Sequence, residues 1–112
     1  MKINFYETGT GFLAVSVCLG SHIGMAKVAP GLLNSSRLNE LVSRAKADLR
    51  TKLEAEVTSL EARVTALQDQ CELCRSEPTM ESALESVGID LQIRTMNNRI
   101  RSLMNDIERT LD

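Results

Sequence analysis

Residues 53–74 read LEAEVTSLEARVTALQDQCELC, and Leu53, Val57, Leu60, Val64, Leu67, Cys71 and Cys74 follow one another at alternating steps of four and three. That alternation holds one narrow stripe of a helix apolar for several turns, and a stripe of that width is buried by another helix. Toward the N-terminus, Leu38, Val42, Ala45 and Leu49 form a first seam that Leu53 continues with an extra step of four. Asn34-Ser35-Ser36 offers side-chain oxygens to the free amides of a first turn, and no Gly or Pro follows until Pro78. The spacing therefore predicts a helix from about Ser36 to Arg75, roughly 60 Å long. A compact domain of this length has a radius of gyration of only about 13 Å, so such a helix needs partners along its length.

Toward the C-terminus, Ser76-Glu77-Pro78-Thr79 is a short break with capping residues, after which Met80, Leu84, Val87 and Leu91 begin a second helix. Beyond Gly88 the apolar stripe moves to Ile89, Ile93, Met96, Ile100, Leu103, Ile107 and Leu111. A kink or weak point is expected at Gly88, at a cost of about 1 kcal/mol relative to Ala. So short a connection predicts an antiparallel hairpin. With the turn near Glu77, the positions brought face to face pair Glu61 with Arg94, Glu56 with Arg99, Glu54 with Arg101 and Arg44 with Glu108. The charges complement, though each exposed pair contributes little.

At the N-terminus, Lys2 to Thr8 alternates as a strand does, Gly9-Thr10-Gly11 marks a turn, and Phe12 to Leu19 is a second strand rich in Val and Leu. Gly20-Ser21 makes another turn, and Ile23 to Ala29 is a candidate third strand before Pro30-Gly31. The fold class is thus α+β: a small antiparallel β-hairpin or three-stranded sheet, then a long coiled-coil-like helical hairpin. Residues 1–33 form the β element and residues 34–112 the hairpin, within one structural domain. Two or three strands are not stable alone, so the sheet packs on the helix start, on another chain, or on both.

Composition narrows the function. Aromatic residues make up 3% of the chain and all fall within its first dozen positions, which suits helix-to-helix packing by aliphatic side chains rather than a large core. The net charge of −2 supplies no basic field for nucleic acid, and there is no series of rings on which bases would stack. Three cysteines without a short-spaced framework point to reduced thiols in the cytoplasm. Gly11 to Ala26 superficially resembles the apolar core of a signal peptide, but Glu7, Ser16, Ser21 and His22 interrupt that pattern. The run is also too short for a membrane span.

Cys71-Glu72-Leu73-Cys74 invites a redox or zinc reading. It sits at the C-terminal end of its helix, where the dipole raises a thiol pKa instead of lowering it. Cys18 and His22 would complete a four-ligand zinc set only between antiparallel subunits, so both cysteines read first as seam residues and no metal or other cofactor is expected. His22, the single histidine, has no Ser and Asp partners in a motif, and Gly9-Thr10-Gly11 is too short for a phosphate loop. No enzyme is expected.

Two surfaces remain. Ala55, Ser59, Ala62 and Ala66 repeat on the side of the first helix away from its seam, where small residues admit a second subunit and predict a dimer or higher homo-oligomer. Arg94, Asn97, Asn98, Arg99 and Arg101, with Arg44 and Arg50 nearby in the hairpin register, group guanidinium and amide donors suited to an anion. The leading reading is a non-enzymatic homo-oligomeric interaction protein that binds a partner through its assembled surface. The alternative is an oligomeric protein that sequesters an anionic or cyclic nucleotide at subunit interfaces. In outline, a small N-terminal sheet followed by two long helices resembles phage-encoded sponges of cyclic immune nucleotides. That resemblance, which is one of outline, implies an anti-defence role, and the arginine and asparagine group is the site that the donor pattern itself offers for such a ligand.

Overall fold

The computed structural model describes residues 1–29, 35–77 and 79–111. The elements run β1 (Lys2–Glu7), β2 (Leu13–Leu19), β3 (His22–Val28), α1 (Ser35–Ser76) and α2 (Met80–Thr110). The strands form one antiparallel sheet in the order β1-β2-β3, and the two long helices pack as an antiparallel hairpin. The expected turn at Pro30-Gly31, the cap at Asn34 and the break at Pro78 lie outside the described residues. The chain divides into two compact units, residues 1–54 with 106–112, and residues 55–105.

In the first unit, β2 is the central strand and carries the core. Val15 and Val17 are fully buried, with Leu19 nearly so, on one face of the sheet. The β2–β3 connection is a two-residue hairpin, since Leu19 pairs with His22 and Gly20 takes a φ of +62° at its first central position. Gly20 has the left-handed backbone that a type II′ turn demands there. Gly24 opposes Val17, and its missing Cβ is what lets β3 lie against α1, because a Cβ built there would collide with the Ala45 carbonyl and Leu49. Polar bonds fix this docking. The Met25 N–H donates to Asp48 Oδ2 at 2.9 Å, Lys52 Nζ donates to the Ile23 carbonyl at 2.8 Å, and Lys52 and Asp48 pair at 3.1 Å.

The helical side of this core is Leu41, Ala45, Leu49 and Leu53, all buried at steps of four. Leu41 replaces the expected Val42, which is half-buried together with Leu38. Steps of four advance about 400° each, so the stripe drifts around the helix and spreads over the breadth of a sheet. The end of α2 belongs to this unit as well. Arg50 donates from Nε to Thr110 Oγ1 and from Nη2 to the Thr110 carbonyl, each at 3.0 Å, and Thr110 is buried.

In the second unit, α1 and α2 face each other along the expected 53–74 seam, of which Val57, Val64, Cys71 and Cys74 are buried and Leu60 and Leu67 half-buried. The Glu56–Arg99 pair expected from the hairpin symmetry forms at 3.3 Å, and Gln70 meets Glu85 at the same distance. The turn is capped at both ends. Ser76 Oγ donates to the Leu73 carbonyl at 2.7 Å, and Thr79 Oγ1 accepts from the Ser82 N–H at 3.1 Å, as an N-cap does.

One expectation is corrected here. The stripe Met80, Leu84, Val87 and Leu91 does not face α1, and α2 runs unbroken through Gly88 with no shift of register. The seam on α2 is Ser82, Ser86, Ile89, Ile93, Met96, Ile100 and Leu103, at steps of four and three throughout. The physical reason is that two serines hold its first positions. Ser82 Oγ donates to Glu77 Oε2 at 3.0 Å, and Ser86 Oγ lies 3.3 Å from Cys71 Sγ, so buried hydroxyls keep partners where an aliphatic pattern would be expected.

Candidate functional site

With the seam assigned, the remaining apolar residues of α2 define its outer face. Met80, Leu84, Val87 and Leu91 are 81%, 68%, 67% and 62% exposed. Their steps of four, three and four keep them in one line, on the side of α2 opposite its seam. The same line continues as Arg94, Asn98 and Arg101, all exposed. Ala83 flanks it with a methyl group and Gly88 with bare backbone. Apolar side chains this exposed and this regularly spaced suggest an interaction surface.

The other expected residues are placed as follows. Ala55, Ser59, Ala62 and Ala66 are exposed, and Leu73, itself 69% exposed, continues their line toward the turn. Asn97 shares a helix face with Arg94, Asn98 and Arg101, whereas Arg99 turns toward α1 and its ion pair with Glu56. Arg44 and Arg50 belong to the first unit, where Arg50 is engaged by Thr110. Arg44 is exposed beside a small cavity of about 80 Å³ that Val28, Arg37, Glu40 and Leu41 also line.

Around Cys71 the hairpin holds a polar cluster. Cys71 Sγ lies 3.4 Å from Asp90 Oδ1, and Arg75 Nη2 donates to Asp90 Oδ2 at 3.2 Å, beside a shallow cavity of about 470 Å³. Cys71, Cys74 and Ile89 form one buried cluster, with Leu67 and Ile93 packed against it. Burial pushes the Cys74 thiol above its ordinary pKa, and the nearby Glu85 carboxylate, then Cys71 and Glu77, push it the same way. The thiolate is the species that attacks or binds metal, so this environment holds Cys74 in its unreactive form. Among the described residues, no group of three or more His, Cys, Asp or Glu side chains could hold a metal ion.

The sequence alone does not single out the outer stripe, because its spacing is that of any helical seam. The signal that separates them is continuity: counted back from Leu103 in steps of four and three, the seam arrives at Ser86 and Ser82 and leaves Leu84 and Val87 unclaimed. Among the described residues, no helix is long and apolar enough to cross a membrane. No protein-family model, no curated protein and no solved structure matches this chain.

Proposed function

We propose that the protein is a non-enzymatic interaction module that assembles with copies of itself, and that the outer stripe of α2 is the contact surface. One observation carries the reading: four large apolar side chains stand in a single heptad-like line on the outside of the hairpin, each more than 60% exposed. Covering such a side chain contributes on the order of 1–2 kcal/mol.

The stripe is suited to a second copy of itself in the antiparallel sense. Met80 then faces Leu91 of the other copy, and Leu84 faces Val87. A parallel pairing in register would instead oppose Arg94 to Arg94. The small flanks at Ala83 and Gly88 let the backbones approach closely.

Light scattering and native mass spectrometry test this. The wild-type chain is expected at the mass of a dimer or higher. Leu84→Lys with Leu91→Lys is expected to keep its helicity, since both side chains are exposed, while losing mass. Equal masses for the two proteins would remove the stripe as the contact. The same native spectrum tests the sponge alternative, which expects an added nucleotide-sized mass that Arg94→Ala with Arg101→Ala abolishes.

A further inference from the structure

The two edges of the sheet are treated unequally. Thr8 N–H donates to the Phe12 carbonyl at 2.9 Å, a pair in the same register as Lys2 with Cys18 and Tyr6 with Ala14. Antiparallel pairs alternate between exchanging hydrogen bonds and not, so even-numbered residues of β1 turn their backbone groups toward β2. Ile3, Phe5 and Glu7 therefore turn theirs outward. The same alternation across β2 and β3 turns Ile23, Met25 and Lys27 outward on the far edge, where the Met25 N–H and the Ile23 carbonyl indeed meet Asp48 and Lys52 of α1. One edge is thus occupied by polar side chains of the chain itself.

The β1 edge has another character. All six of its residues are exposed, and it contains neither a proline nor a bulge, with charges only at its two ends, Lys2 and Glu7. Such devices are the usual protection of an open edge. Ile3 and Phe5 oppose Val17 and Val15, so they continue the core face of the sheet, yet they remain 41% and 49% exposed.

We propose that β1 pairs antiparallel with β1 of a second copy of this chain, joining two three-stranded sheets into one of six strands. A two-fold axis normal to the sheet requires paired residues to share a face. Of the registers this allows, the one centred on Asn4 pairs Ile3 with Phe5 of the other copy, twice. It sets Lys2 beside Tyr6 and opposes no like charges. Ile3 and Phe5 are the residues whose backbone groups point outward, so each such pair exchanges two hydrogen bonds while covering its exposed apolar face. The register centred on Phe5 would oppose Ile3 to Glu7 and leave the apolar match incomplete.

This interface lies wholly within the first unit and stands or falls apart from the α2 stripe. The test is disulfide trapping in the 112-residue chain with Cys18→Ser, so that no native thiol shares the strand face. In the Asn4-centred register, Asn4 meets Asn4 in a non-hydrogen-bonded pair, whose Cα separation of about 4.5 Å suits a disulfide. Asn4→Cys is expected to give a reducible covalent dimer under mild oxidation, about tenfold more than Tyr6→Cys, whose thiol would face Lys2. Adding Phe5→Lys is expected to abolish the trapped dimer, and adding Leu84→Lys with Leu91→Lys to leave it in place. An Asn4→Cys chain that forms no covalent dimer, or a Tyr6→Cys chain that crosslinks as well, would overturn the proposal.

Discussion

The unit built from the sheet and the unit built from the helices alone bury their apolar residues differently. In the first, Val15, Val17, Ala45, Leu49 and Leu53 have no exposed surface at all. In the second, Leu60, Leu67, Ile93, Met96 and Ile100 occupy seam positions and are still half-buried. A sheet laid on a helix closes a core over its whole breadth, whereas two helices side by side cover only one stripe of each. The contrast suggests where an interaction surface lies: the helical unit has sides that its own residues do not close.

The sharpest way to break that contrast is one substitution made in both units. Leu49→Ala empties a fully enclosed site and is expected to cost about 3–4 kcal/mol. Leu60→Ala, at a half-buried seam position, is expected to cost about 1–2 kcal/mol. Urea unfolding at low protein concentration measures both. Equal costs would mean that the seam closes in solution as fully as the sheet core does, and would remove the contrast.

The same contrast decides how far the sequence could be read. The three strands, their turns and both helices are legible because alternation, Gly pairs and steps of four and three survive in the chain without knowledge of what packs on what. The seam of α2 was less legible, because Ser82 and Ser86 hold two of its positions and their hydroxyls are satisfied by Glu77 and Cys71, partners that exist only once the hairpin has formed. Gly24 shows the same limit, since nothing in HIGMAKV says that its backbone will lie on Ala45. For the candidate binding residues, periodicity does place Arg94, Asn97, Asn98 and Arg101 on one face. It also assigns Arg99 to the α1 side, where the ion pair with Glu56 is found. The outward direction of Leu84 and Leu91 becomes visible only after the seam has been counted through.

Gly88 offers a smaller and more discriminating test. A Cβ at this position meets nothing within 4 Å, and the residue lies inside a continuous helix. Gly88→Ala is therefore expected to stabilise the isolated chain by about 1 kcal/mol, chiefly by restricting the unfolded state. Thermal unfolding at a dilution where the chain is monomeric reads that gain. At concentrations where copies associate through the α2 stripe, Gly88 flanks the contact, so the added methyl is expected to erode the gain. A gain that is independent of concentration would place the contact elsewhere and sharpen attention on the β1 edge.

The smallest effect concerns the protected edge of the sheet. The Met25 N–H, more than any other group, holds the Asp48 carboxyl below its ordinary pKa; Lys52 adds to this and partial burial opposes it. A carboxyl whose pKa is lower folded than unfolded contributes stability that is complete above its unfolded value and is lost as pH falls through its folded one. The first unit should therefore weaken below about pH 4, and only slightly, because the Asp48 side chain is 40% exposed and solvent screens it. Hydrogen exchange at the Met25 amide checks this directly: protection should fall with pH in the wild type, whereas Asp48→Asn, which keeps an acceptor but does not titrate, should show a flat profile. If protonation frees the Met25 N–H, β3 becomes a second open edge. Acid should then favour sheet-edge association in the wild type more than in Asp48→Asn, even where the α2 stripe has been disabled by lysines.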